Sequence, residues 1–126
     1  TGIDIIAYNP LTDKRLGITV KSRTRTKGKE QSGVNLFNKE DRERIVDSCL
    51  SFSCEPWIGV YVEASDHSEL YLTSLENYDR RYSRERVTED WKMSKKYRTM
   101  YEEDDEVYHI EMKFNLLNWF NTRRGD

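Results

Sequence analysis

Gly2-Ile3-Asp4-Ile5-Ile6-Ala7-Tyr8-Asn9-Pro10-Leu11-Thr12-Asp13-Lys14-Arg15-Leu16-Gly17-Ile18-Thr19-Val20-Lys21-Ser22-Arg23-Thr24 is the stretch whose reading decides the fold. Residues 3–8 are rich in β-branched side chains, which suits a strand. In residues 16–23, Leu16, Ile18 and Val20 alternate with Gly17, Thr19 and Lys21, the period of a strand with two unlike faces. Between these segments lie Asn9, Pro10 and Asp13, residues that favour turns. Two strands joined by so short a link form an antiparallel hairpin. A turn centred near Thr12 and Asp13 sets Asp4 across from Lys21 and Ile6 across from Thr19.

Outward from the hairpin, residues 24–33 are polar, basic and glycine-containing, hence a loop. Asn38 is suited to cap a helix, with Glu40 and Asp41 in its first turn complementing the dipole. Ile45, Val46, Cys49 and Leu50 fall on one face of that helix. Residues 57–63 form a short apolar run, the pattern of a buried central strand. Asp66-His67-Ser68 is a turn, residues 69–75 alternate as a further strand, and residues 75–82 suit a short helix or turn. Residues 88–100 are read as helical, with Thr88 as cap and Trp91 and Tyr97 as anchors. Residues 107–114 alternate again, and 115–126 hold a helical turn around Leu116, Trp119 and Phe120. The order predicts an α/β domain with a central mixed sheet and flanking helices. One domain over 1–126 is expected, with its core in 2–75 and a C-terminal extension in 76–126.

The formal net charge of −2 excludes a general polyanion binder. Its distribution is uneven: Lys14, Arg15, Lys21, Arg23, Arg25, Lys27 and Lys29 occur without an intervening acid, whereas residues 102–106 are all acidic. Two cysteines, Cys49 and Cys54, make no disulfide framework or zinc pattern and suit free thiols in a reducing compartment. No apolar stretch approaches the roughly 20 residues of a membrane span, and no signal peptide is visible, so a cytoplasmic location is expected.

An Asp and a Lys brought together on one sheet face suit phosphodiester hydrolysis. That reaction uses a metal held by oxygen ligands to polarise the phosphate and activate water. A lysine can stabilise the developing negative charge. The phrases Gly2-Ile3-Asp4-Ile5-Ile6-Ala7 and Leu16-Gly17-Ile18-Thr19-Val20-Lys21-Ser22-Arg23 resemble the hairpin of the PD-(D/E)XK nuclease-like superfamily, which includes many restriction endonucleases, Holliday-junction resolvases and repair nucleases. The resemblance covers residues 2–63. It implies a restriction-endonuclease-like core, Asp4 as a Mg²⁺ or Mn²⁺ ligand, Lys21 as the catalytic lysine, and Thr19 at the position of the second acid. It also implies a helix before the hairpin, which is absent from this chain. A neutral hydroxyl at Thr19 lacks the charge a divalent cation needs. Glu30, Glu40 and Glu43 are the nearest acids that could compensate.

Several bland readings stand beside these. Asp4 and Lys21 could form a plain cross-strand ion pair. Lys21, Arg23, Arg25, Lys27 and Lys29 stand at every second position; on a continuing strand they form one cationic face for a nucleic-acid backbone, and otherwise a solvated loop. Trp57, Tyr61, Tyr71, Tyr78 and Tyr82 fit core packing better than a base-stacking platform. His67 stands in a turn, and His109 in a strand where no second ligand is expected near it, which speaks against a metal role. The expected function is a nucleic-acid-directed, metal-dependent nuclease-like domain. The alternative is a non-catalytic DNA-binding or protein-interaction domain on the same fold. Candidate partners are DNA and, in a homodimer, a second copy of the chain.

Overall fold

The hairpin forms, and the rest of the sheet is built from it. The computed structural model describes residues 2–114; the helical turn expected around Leu116, Trp119 and Phe120 lies outside them. Strands β1 (Ile5–Asn9) and β2 (Lys14–Thr24) pair antiparallel, from Ile5 opposite Ile18 to Asn9 opposite Lys14. Next come β3 (Val34–Asn38), α1 (Lys39–Ser51) and β4 (Glu55–Glu63). β4 runs parallel to β2, as a strand returned by a crossover containing a helix does. β5 (His67–Ser74) pairs antiparallel with β4 across a tight turn. The described residues close with α2 (Leu75–Arg81), β6 (Thr88–Trp91), α3 (Lys95–Glu103) and β7 (Val107–Lys113). The architecture is α/β: among the described residues, a mixed five-stranded sheet in the order β1-β2-β4-β5-β7, a two-stranded ribbon of β3 and β6, and three helices.

The segment over residues 88–100 departs from expectation. Thr88–Trp91 is a strand antiparallel to β3, and the helix starts only at Lys95. Glu89, Trp91 and Met93 point inward at period two. The inward Glu89 is held by the hydroxyls of Tyr78 and Ser83, 2.9 and 2.7 Å away. α1 begins where Asn38 caps it: Asn38 Oδ1 accepts from the Asp41 N–H at 2.8 Å, and Asp41 Oδ2 accepts from the Asn38 N–H at 3.4 Å, a reciprocal capping box. Ile45 and Cys49 are buried, while Leu50, grouped with them by spacing, is 74% exposed.

All three helices lie on one sheet face. On that face the register aligns Thr19 with Ile58 and Thr73, and Lys21 with Val60, Tyr71 and His109. Tyr71, Tyr78, Tyr82, Trp91 and Tyr101 form the aromatic centre of the core, with Trp91 and Tyr101 stacked 4.0 Å apart. The opposite face carries Ile18, Trp57, Leu72, Tyr108, Ile110 and Met112, and no helix among the described residues covers it.

α1 presses closely on the hairpin. A Cβ placed on Gly17 would sit 2.7 Å from Cys49 Sγ and 3.2 Å from Cys54 Cβ. Overpacking of this kind costs about 1–3 kcal/mol. Gly17→Ala is therefore expected to lower stability by about that amount in urea unfolding. In the double variant with Cys49→Ala, the combined loss should be smaller than the sum of the two single losses, because the clashing sulfur is gone.

A buried polar knot ties α2 to the start of β7. Asp104 accepts from Tyr82 Oη at 2.6 Å, from Asn77 Nδ2 at 3.0 Å and from the Glu106 N–H at 2.9 Å. Burial pushes the Asp104 carboxyl up, but these bonds outweigh it and hold its pKa below the ordinary value. A carboxyl depressed in the folded state stabilises the fold above its unfolded pKa of about 3.9, and that contribution is lost as pH falls through the folded value. Asp104→Asn should therefore reduce stability at neutral pH by about 1–3 kcal/mol. It should also make the acid decline of stability shallower in denaturant titrations across acidic pH.

Candidate functional site

Asp4 stands just before β1, and continuing the hairpin register by one residue sets it opposite Thr19, not Lys21. The four-residue loop, Pro10 to Asp13, causes the shift. Asn9 Oδ1 accepts from the Leu11 N–H at 3.0 Å, Tyr8 Oη donates to Asp13 at 2.7 Å, and Asp13 takes the left-handed conformation at φ 56°. The turn is thereby centred between Leu11 and Thr12, one residue earlier than the sequence suggested, which moves the pairing by two.

Each hairpin side chain is now differently placed. The Asp4 N–H donates to the Ile18 carbonyl at 2.9 Å, and Asp4 Oδ2 accepts from the Val20 N–H at 2.8 Å. Asp4 thus closes the open end of the ladder with one carboxylate oxygen, and Oδ1 has no hydrogen-bond partner among the described residues. Thr19 is only 6% exposed, and its hydroxyl donates to the Gly2 carbonyl. Lys21 is half-buried and makes no ion pair among the described residues; the plain Asp4–Lys21 ion pair does not form.

These residues line a cavity of about 110 Å³, together with Gly2, Asp41 and Arg44. The last two come from the first turns of α1. In a parallel crossover the helix begins beyond the carboxyl end of the preceding strand, where ligands bind in open α/β sheets. Lys21 is near that end of β2. Asp41, engaged in the capping box, also lies 3.5 Å from Arg44. The cavity therefore holds two carboxylates and two cations. Of the acids nearest in sequence to the hairpin, Glu30 instead binds the Gly28 N–H, Glu40 pairs with Arg44, and Glu43 does not line the cavity. Asp41 was visible in the sequence as a first-turn acid. Only the position of α1 against β2 brings it to Asp4.

The basic row divides in two. Lys21 and Arg23 stand on the helix-side face of β2, and Arg23 is exposed. The Arg25 N–H still donates to Glu63 at 2.7 Å, and its Nη2 donates to the Gly33 carbonyl at 2.9 Å. The chain then turns: Gly28 adopts φ 91°, and the Lys29 N–H donates to Thr26 at 3.0 Å. Lys27 and Lys29 consequently project from a loop beyond the strand. His109 is not isolated, since Glu69 and Glu111 flank it on the sheet.

No protein-family model matches the chain, and no curated protein or solved structure matches it. The geometry at Asp4 can be tested directly. Replacing Asp4 with Ala deprives the Val20 N–H of its partner, and losing such a bond costs about 1–2 kcal/mol. Hydrogen exchange should show faster opening of the Val20 amide in Asp4→Ala, while the amides of the β4–β5 pairing keep their protection.

Proposed function

We propose that this chain is a nucleic-acid-directed, nuclease-like domain on a restriction-endonuclease-like core. The observation that carries the reading is the cavity itself. The strand–helix–strand crossover gathers Asp4, Lys21, Asp41 and Arg44 from separate stretches of chain around one small opening, with exposed Arg23 beside it.

The residues fit a hard divalent cation. Mg²⁺ is commonly held by one or two carboxylates, with water and substrate phosphate completing its shell. Asp4 Oδ1 and the Asp41 carboxylate would supply those ligands. When bound, the ion polarises the phosphodiester and acidifies a water. Lys21 has no carboxylate partner among the described residues and would neutralise charge on the phosphate. Arg23 and Arg25 would anchor the neighbouring backbone. Thr19 takes no part as a ligand, because its hydroxyl is turned to the Gly2 carbonyl.

That same hydroxyl favours a second reading, in which the domain binds nucleic acid without cutting it. The position of the second acid is neutral and buried, and Asp41 is also engaged in capping α1.

One experiment separates the two. Supercoiled plasmid is incubated with the 126-residue chain in Mg²⁺ or Mn²⁺, and binding is measured in EDTA across a salt series. The nuclease reading expects nicking that falls about a hundredfold in Asp4→Asn and in Lys21→Ala. Both readings expect salt-dependent binding whose log–log slope shrinks by about 2 when Lys21 and Arg23 are both replaced by Ala. Binding without nicking selects the second reading. Nicking that survives both single variants, or absence of binding, overturns the proposal.

A further inference from the structure

A second polar cluster lies on the helix-side face of the sheet, away from the hairpin, at β5 and β7. His109 and Glu111 are two residues apart on β7 and so share a face. Glu69 of β5 stands directly opposite Glu111, and Tyr71 opposite His109. A strand pair of this register forms a triangle, with two donors along one strand and a third across from one of them. Here one ligand atom from each of Glu69, His109 and Glu111 lies within 4.8 Å of the other two.

The surroundings prepare these groups as ligands. The His109 ring lies flat on Tyr71, with centroids 4.3 Å apart and planes 1° from parallel, and its Nε2 is 3.2 Å from Glu69 Oε1. The Glu69 side chain is 2% exposed. Its Oε1 accepts from Arg98 Nη2 at 2.5 Å and from Tyr71 Oη at 3.3 Å, while Oε2 receives no hydrogen bond from the described residues. Carboxylates directly opposite on one sheet face repel each other. Arg98 answers the charge of Glu69, whereas among the described residues Glu111 pairs with Lys113 alone, 3.9 Å away. Glu111 and His109 are partly open to solvent, which gives an ion a way in.

The geometry points to a divalent transition-metal site formed by Glu69, His109 and Glu111. One imidazole with two carboxylates suits Zn²⁺ or Mn²⁺, unlike the all-oxygen set at Asp4. Glu69 Oε2, a Glu111 oxygen and His109 Nε2, in place of its proton, bind the ion. Arg98 and Tyr71 keep hold of Glu69 Oε1 and fix the carboxylate, as outer hydrogen bonds do around ligating groups. Three protein ligands leave further positions to water or an exogenous ligand.

Titration of the full chain with Zn²⁺ in a calorimeter, and with Co²⁺ followed by its visible absorption, tests the assignment. One equivalent of Zn²⁺ should bind, and Co²⁺ should acquire visible bands in the same stoichiometry. Glu111→Gln and His109→Ala should each weaken Zn²⁺ binding at least about tenfold, and His109→Ala should abolish the Co²⁺ bands. Circular dichroism of the metal-free variants checks that they fold. Glu111 lies on an exposed edge strand, so Glu111→Gln keeps the test decisive should His109→Ala fail to fold. Absence of Zn²⁺ uptake overturns the site, as does a loss below tenfold in every folded variant.

Discussion

The closest constraint in this fold is the approach of α1 to the hairpin. A Cβ on Gly2 would fall 2.7 Å from Ile45 Cα, so main chain meets main chain there. Gly17 makes the matching approach farther along α1, at Cys49. Side chains at either position would lift the helix from the sheet. With α1 seated, the Gly2 carbonyl is held where Thr19 reaches it, and the first turns of α1 face Asp4 and Lys21. The cavity is thus a consequence of two missing side chains as much as of the charged ones that line it.

The same contact explains the crossover. The capping box starts α1 at Asn38, directly after β3. At the other end, Ser53 takes the left-handed conformation at φ 54°, and the Cys54 N–H donates to the Cys49 carbonyl at 2.8 Å. A closure of this type ends a helix abruptly and redirects the chain. β4 then begins at Glu55 and enters beside β2, with Pro56 set against Gly17. Helix length and end geometry, between a defined cap and a defined stop, deliver β4 to the centre of the sheet.

Where side-chain periodicity reflects local burial, the sequence was a sufficient guide. The hairpin, α1, β4 and β5 all follow from alternation, caps and apolar runs. Residues 88–93 escaped because the inward position at Glu89 is charged, and its partners Tyr78 and Ser83, on α2 and just after it, reach it through packing between elements and not through a local repeat. A carboxylate that looks solvated by type can be interior when hydroxyls of a neighbouring element receive it. β3 escaped for a different reason: it is short, and its pairing slips between Asn35 and Phe37, which breaks the alternation. The site divides in the same way. Asp4, Thr19 and Lys21 were legible because one hairpin carries them. Asp41, Arg44 and the Glu69–His109–Glu111 group depend on contacts between elements, which no local pattern encodes.

Charge is segregated across the sheet. One register row runs from Arg23 through Val62 to Glu69 and Glu111. Neighbouring strands are about 4.8 Å apart, so the cation of β2 and the acid of β7 are separated by about 14 Å. The physiological Debye length is about 8 Å, and exposed charges that far apart scarcely feel each other. A polyanion approaching β2 would therefore meet Lys21 and Arg23 with little repulsion from Glu111. A cation approaching β7 would meet carboxylates with little opposition from the hairpin. The small net charge of −2 conceals this arrangement, because the two signs cancel in the sum and not in space.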